Sequence, residues 1–260
     1  MLKILKYSFY EMIRSRWVFI YTGFYLLATI ALLLLSNDLS KVLISMTNIT
    51  LILTPLIGIL FGTIYYYNSK EFIQLLMAQA LSRWSIFSGM YAGMVIALCL
   101  SILLGIGLPF VFYGIMVSPD LPIFLLLITM GCALSIIFSL IAFLIAMKFD
   151  DKVKGLSISI FVWLFFAIVY DGIFLLLLLG LKDYPLDKLT ISMLVLNPID
   201  LSRILILMKL DMSAMMGYTG AVLSKFLGKE TGIIVVSTSL LFWILLPLWR
   251  LFSIGQKKDF

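Results

Sequence analysis

The 260-residue chain contains no histidine, only two cysteines, and few charged residues, which make up 12% of the sequence. Histidine is the commonest general base near neutral pH and the commonest protein metal ligand, so the usual forms of both kinds of site are excluded. Cys99 and Cys132 fall inside apolar runs. There we expect them to act as small buried hydrophobes and not as a disulfide framework.

Several enzyme motifs are also missing. The chain has no G-x-x-x-x-G-K-[ST] phosphate loop and no H-E-x-x-H zinc motif, and no pair of aspartates of the kind an intramembrane protease needs lies within its apolar runs. Asp171 is one carboxylate within such a run. We expect it either to face a wet pathway through the protein or to lie close enough to the outer surface to be hydrated. The chain is therefore predicted to be non-catalytic, with no cofactor or metal of its own.

Apolar residues, in contrast, are abundant: they form 63% of the chain, and the mean hydropathy is +1.17. A run of roughly 20 apolar residues is long enough to cross the hydrocarbon core of a bilayer as a helix. Six such runs predict an all-α, multi-pass membrane protein with a single transmembrane domain over residues 1–260. The predicted spans are Trp17–Leu35, Val42–Tyr67, Ile86–Ile115, Ile123–Met147, Leu156–Gly180 and Ile233–Phe252.

The basic residues predict the orientation of these spans. Lysine and arginine concentrate in the N-terminal segment, in the connections after the second and fourth spans, and at the C-terminus. Such a bias marks the cytoplasmic side of a membrane protein, so both termini are predicted to be cytoplasmic. The net charge of +6 is explained by this bias, and no nucleic-acid binding is predicted.

Two segments on the predicted cytoplasmic side have helical amphipathic patterns. Residues 1–16 place Leu2, Leu5 and Phe9 on one face, which predicts either a helix lying in the membrane interface or the basic flank of the first span. Residues 68–85 contain neither glycine nor proline and cluster their apolar side chains similarly. The second segment is either a helix that docks on a soluble partner or a helical turn that continues the second span into water.

The connection between the last two spans, residues 181–231, is unusually long and half apolar. Asp200 is expected to cap a helix running to about Met216, with Gly217 and Gly220 breaking it on the outer surface. Methionines on one face of this helix, including Met208, predict either a cushion for a protein partner or a site for a soft metal ion. Arg203 is expected to form an internal clamp with Asp200.

Two motifs resemble the ABC-2 type permeases, the membrane subunits of a class of ABC transporters. The stretch from Leu75 to Arg83, followed by Gly89 and Gly93, is similar to the family signature L-L-x-A-Q-P-x-S-R, although Ala80 replaces the proline. Asn197-Pro198-x-Asp200-x-x-Arg203 resembles one branch in particular. That branch is the NosY-type permease of NosDFY transporters, which serve the maturation of nitrous oxide reductase.

The resemblance implies six spans, an N-terminal interfacial helix, an ATPase-coupling helix and a re-entrant segment before the last span. It also implies a homodimer in the bacterial inner membrane, a cytoplasmic P-loop ATPase (NosF-like) that binds ATP, a periplasmic repeat protein (NosD-like), and sulfur or copper delivery to the enzyme's copper centres. The predicted ATPase-coupling residues are Glu71, Phe72, Leu75, Leu76, Gln79, Ser82 and Arg83. The predicted contacts with the outer partner are Asn197, Asp200, Arg203, Met208, Asp211, Met212 and Met215. The alternatives are an ABC-2 exporter of lipid or drug, or a membrane scaffold without an ATPase.

Overall fold

The protein is a bundle of long apolar helices. A computed structural model describes residues 1–36, 38–79, 81–181, 187–209 and 217–257. It is 91% helical, and these residues include no strand. Six helices are long and apolar enough to cross a membrane, which confirms the predicted class and number of spans. These spans are Arg16–Leu35, Leu39–Asn68, Arg83–Phe112, Leu121–Lys148, Lys152–Gly180 and Gly232–Leu251.

Two of the spans contain a π-helical turn, at Leu103–Gly107 and at Phe165–Val169. The α-helices are α1 (Leu2–Arg14), α2 (Arg16–Leu35), α3 (Leu39–Asn68), α4 (Lys70–Met77), α5 (Arg83–Ile102), α6 (Leu108–Phe112), α7 (Leu121–Lys148), α8 (Lys152–Leu164), α9 (Tyr170–Gly180), α10 (Asp187–Val195), α11 (Pro198–Lys209) and α12 (Gly217–Lys257). The third span comprises α5 and α6, and the fifth comprises α8 and α9.

Polar residues at the ends of the spans begin the helices. The Asp38 carboxylate accepts hydrogen bonds from the backbone N–H groups of Ser40 and Lys41 at 3.1 and 3.5 Å, and so caps α3. Asp151 caps α8 in the same way, accepting from Val153 at 2.8 Å. A helix satisfies its remaining backbone groups internally, which is the condition for a chain to cross hydrocarbon.

The centre of the bundle is the pair α3 and α7. Gly58 and Gly62 line the contact, and a methyl group added at Gly62 would lie 2.6 Å from the Cβ atom of Ala142. The two helices approach this closely because glycine has no side chain, as the glycine spacing predicted. Around this contact, Tyr25 and Thr54 share a hydrogen bond of 2.6 Å, which ties α2 to α3 in the interior.

Helix α1 lies outside the spans and packs across α5. Ser15 has an extended backbone (ψ 129°) that separates α1 from α2, so the segment is a helix of its own and not an extension of the first span. Its buried face consists of Ile4, Ser8 and Met12. Leu2, which was predicted to lie on the apolar face, is instead 81% exposed. The side of the bundle on which α1 lies, and on which α3 and α7 end, is called the basic side below.

The last helix is longer than predicted. α12 runs without interruption from Gly217 to Lys257, so Gly217 and Gly220 belong to the helix of the last span instead of breaking a separate one. Pro247 lies inside α12 and Pro55 inside α3. The helix continues because its consecutive backbone hydrogen bonds outweigh the low helix propensity of these two glycines.

Candidate functional site

The connection before the last span enters the bundle. α10 and α11 form a pair bent by 107° at Leu196 and Asn197. The carbonyl of Val195 accepts a hydrogen bond from the Trp243 indole at 3.0 Å, which fixes the bend against α12. This part of the connection therefore lies among the spans, not on the outer surface where its residue pattern had placed it.

Asn197 holds the bend in place. Its side chain is fully buried (0% exposed), and its Oδ1 atom accepts from the backbone N–H of Ile199 at 3.1 Å. Its Nδ2 atom donates to the Phe166 carbonyl in the π-helical turn at 3.0 Å and to Asp200 at 2.8 Å. Asn197, and not Asp200 as predicted, is thus the N-terminal cap of α11, because Pro198 is already the first helical residue.

Arg203 joins α11 to α9. Its guanidinium group donates to Asp200 Oδ1 at 2.9 Å, which confirms the predicted clamp, and also to Asp171 Oδ2 at 3.4 Å. The side chains of Asp171 and Arg203 are 39% and 34% exposed, and that of Asp200 is 18% exposed. Asp171 is therefore not alone: it belongs to a polar cluster, defined here as Asp171, Asn197, Asp200 and Arg203.

The depth of the polar cluster determines its chemistry. Asp171 lies nine residues before the end of α9 at Gly180, which corresponds to about 14 Å along the helix at 1.5 Å per residue. Charged groups at such a depth are costly unless they are paired or face a wet cavity. The cluster contains two carboxylates and one guanidinium group, and their hydrogen bonds stabilise the bend. Because one carboxylate is in excess, the cluster still presents half-exposed charge on one side of α9.

The remaining residues predicted for an outer contact divide into two groups. Met208 is 3% exposed and packs in the core between α7 and α12, so its thioether faces neighbouring helices. Asp211, Met212 and Met215 lie outside the described residues, as does the predicted helix end at Met216. Contact with an outer partner stays a prediction.

On the basic side, α4 is shorter than predicted. It covers Lys70–Met77 within the predicted segment 68–85, and Ser82 then caps α5 by accepting from the backbone N–H of Ser85 at 3.4 Å. Ile73 and Leu76 are buried, with exposures of 0% and 8%, whereas Leu75 is 58% exposed. Leu75 is thus exposed on the surface of α4, whereas Leu76, also one of the predicted contacts, reaches the surface only in the groove between α4 and α1.

No family model matches the chain, and no curated protein matches its sequence. The resemblance to ABC-2 permeases therefore depends on the two motifs and is carried forward as a proposal.

The other predicted coupling residues lie around α4. Glu71, Gln79 and Ser82 are exposed, and Arg83 is half-buried at the start of α5. Phe72 stacks on Tyr7 of α1, with ring centroids 4.8 Å apart. The structure therefore places six of the seven predicted residues at least partly on the surface of the basic side, with Leu76 turned inward.

An open groove separates α4 from the first turns of α1. It has a volume of about 660 Å³, and its lining includes Leu2, Tyr7, Phe72 and Leu81. Leu2 was not among the predicted site residues, although its apolar character at the edge of an amphipathic helix was the available signal. Phe72 and Leu76 of α4 line this groove together with Leu2 and Tyr7 of α1, so the two helices share one partly apolar surface there.

Proposed function

We propose that this chain is the membrane permease subunit of an ABC transporter. The observation that carries the proposal is the arrangement of α4: two side chains anchor the helix on the bundle, and Leu75 between them faces solvent. Several exposed apolar side chains gathered in one place mark a protein contact, and Leu2 and Leu81, which are 81% and 40% exposed, line the groove beside α4. A rigid helix held between two spans can pass a partner's movement directly to α3 and α5.

The distribution of basic residues supports the placement of this contact in the cytoplasm. Lys3, Lys6 and Arg14 on α1, and Arg83 at the start of α5, belong to the basic side. The positive-inside rule assigns such a side to the cytoplasm of the bacterial inner membrane, where an ATPase has access to ATP. The P-loop ATPase subunit would bind the nucleotide, since the permease carries no phosphate loop.

The polar cluster supports a homodimer. Asp171 and Arg203 are more than one third exposed at a depth where lipid would otherwise surround them. Leu175, four residues after Asp171 and so near it on the surface of α9, is 59% exposed, and no residue in the most apolar part of this span is buried. A second copy covering this face would remove the charges from lipid and leave a pathway between the subunits that Asp171 lines.

The Asn197-Pro198-x-Asp200-x-x-Arg203 motif supports the narrower assignment to the NosY branch. In the structure the motif builds the bend that holds α11 inside the bundle. On this proposal the chain serves the copper-centre assembly of nitrous oxide reductase, by delivering sulfur or copper or by passing motion to a periplasmic repeat protein. Asp211, Met212 and Met215 are the proposed contacts with that partner.

A copurification experiment tests the ATPase contact. The full chain is expressed with its native neighbours, solubilised and purified, and the copurifying P-loop protein is quantified for wild type, Leu75→Asp and Val117→Asp. Val117 is a matched control because it is apolar and 93% exposed at the opposite side of the bundle. We expect Leu75→Asp to lose the ATPase subunit and Val117→Asp to retain it. Full retention by Leu75→Asp would contradict the proposed contact, and the absence of any P-loop protein with wild type would contradict the proposed function.

A further inference from the structure

The elbow between α1 and α2 contains two open cavities that the proposed function does not use. One has a volume of about 340 Å³ and is lined by Tyr7, Tyr10, Glu11, Arg14 and Ser15. The other, of about 150 Å³, lies between α1, α2 and α3 and includes Glu11, Ser15 and Trp17 in its lining. Glu11 and Ser15 thus stand between the two cavities.

The level of these cavities is that of lipid headgroups. α2 begins at Arg16 and α3 ends at Asn68, and Asn68 also lines the second cavity. Trp17 is 63% exposed at this level, a position that tryptophan favours at the boundary between water and hydrocarbon. A ligand in the cavities would therefore have access to water on one side and to acyl chains on the other.

Glu11 is the carboxylate of the elbow, and it has few partners. It accepts a long hydrogen bond from the Tyr65 hydroxyl at 3.4 Å, and no lysine or arginine in the described part of the chain forms an ion pair with it. Glu11 lines both cavities and Tyr65 lines the smaller one, so both side chains are available to a ligand there.

The charges select the class of ligand. A carboxylate without a cation attracts an ammonium group, and Arg14 on the wall of the larger cavity attracts a phosphate. In the larger cavity the aromatic rings already have partners: the Lys6 ammonium lies 6.0 Å from the centroid of the Tyr10 ring, and Tyr7 stacks on Phe72. A quaternary ammonium group has no N–H to donate to Glu11, so it fits less well than a primary one.

We propose that the elbow binds the headgroup of a phospholipid with a primary amine, such as phosphatidylethanolamine. Glu11 and the Tyr65 hydroxyl accept hydrogen bonds from the ammonium group, and Arg14 binds the phosphate. The lipid would fill the junction at which α1 turns into the first span, and so couple the angle between α1 and α2 to the surrounding membrane.

Native mass spectrometry of the purified full chain tests this assignment. Dioleoyl phosphatidylethanolamine, phosphatidylcholine and phosphatidylglycerol are added separately to wild type, Glu11→Gln and Glu71→Gln. Glu71 is a matched control because it is an exposed carboxylate on a helix of the same side. We expect wild type to retain phosphatidylethanolamine about fivefold more than phosphatidylcholine, the ratio that one charge-assisted hydrogen bond at a half-exposed site supports. Glu11→Gln should lose this preference and Glu71→Gln should keep it.

Equal retention of phosphatidylethanolamine and phosphatidylcholine by wild type, or an unchanged preference in Glu11→Gln, would overturn the proposal. Tyr65→Phe provides a second variant that leaves all charges in place, and we expect it to lower the preference by a smaller factor. Excess O-phosphoethanolamine distinguishes the source of the amine. Persistence of the bound lipid supports a membrane ligand, whereas its displacement would assign the site to a soluble phosphorylated amine and overturn the lipid assignment.

Discussion

The packing of α1 on α5 depends on Gly93. A methyl group added there would lie 2.7 Å from the Leu5 carbonyl oxygen, 2.7 Å from the Ser8 Cβ atom and 2.9 Å from the Phe9 backbone nitrogen. Two of these atoms belong to the backbone of α1, so no side-chain rotation relieves the overlap. Gly93→Ala therefore forces the whole of α1 to move away from α5 by several tenths of an ångström.

The magnitude of this change follows from the overlap. Overpacking by one methyl group costs about 1–3 kcal/mol, and the higher helix propensity of alanine does not offset this cost, because α5 is helical whether α1 is docked or open. Since α1 can shift and relieve part of the overlap, the loss of α1 docking is about 1–2 kcal/mol, or roughly 5- to 30-fold in the equilibrium between docked and open α1. Gly23→Ala is the matched control, because nothing lies within 4 Å of the added methyl group.

Hydrogen exchange measured by mass spectrometry provides the assay. In Gly93→Ala the amides of residues 2–14 should exchange roughly 5- to 30-fold faster than in wild type, while those of α3 and α7 are unchanged. Gly23→Ala should leave the exchange of α1 as it is. Unchanged protection of α1 in Gly93→Ala would refute the close contact between the two helices.

Two further predictions concern the titratable and polar groups. Burial raises the pKa of Glu11 above its ordinary value of 4.5, because the folded protein favours the neutral carboxyl group. The folded state is therefore fully stabilised by this group below the ordinary pKa, and the stabilisation is lost as the pH rises through the raised pKa. The melting temperature of wild type relative to Glu11→Gln should therefore fall as the pH rises above about 4.5 in lipid-free detergent, and parallel curves would contradict this. Asn197→Ala removes the cap of α11 and leaves Asp200 Oδ2 and the Phe166 carbonyl without their Asn197 donor, so we expect a loss of about 2 kcal/mol in denaturant unfolding, against less than about 0.5 kcal/mol for the exposed Thr238→Ala.

The spans could be predicted from the sequence because they depend on local properties. Each apolar run is long enough to cross a bilayer by itself, and the predicted boundaries differ from the helices by only a few residues. The close approaches at Gly62 and Gly93 were likewise predictable, since small residues four positions apart mark one face of a helix.

The polar cluster could not be predicted completely because it depends on distant parts of the chain. The pair formed by Asp200 and Arg203 is separated by three residues and was recognised, whereas the contact between Asp171 and Arg203 spans 32 residues. The bend at Asn197 and the π-helical turn at Phe165–Val169 also depend on each other through a tertiary hydrogen bond. No local pattern in the sequence indicates that partnership.

The burial of α4 shows a second limit of what a sequence pattern can predict. Helical projection placed Leu76 and Phe72 on one apolar face, and that face was taken as the one available to a partner. The bundle itself uses this face, through Ile73 and Leu76, and leaves Leu75 in solvent. An amphipathic pattern shows that a helix has two different sides, but not which of them a neighbouring helix covers.

The length of α12 has a mechanical consequence. Its 41 residues extend over about 61 Å at 1.5 Å per residue, roughly twice the thickness of the hydrocarbon core. The span Gly232–Leu251 is centred near Leu241, so about 36 Å of the helix lies on one side of the bilayer centre and about 24 Å on the other. A rod that pivots there by about 10° moves its two ends by about 6 Å and about 4 Å, in opposite directions. The last helix thus has the dimensions of a lever with unequal arms, on which a displacement of the C-terminal end corresponds to a movement roughly half as large again at the other end.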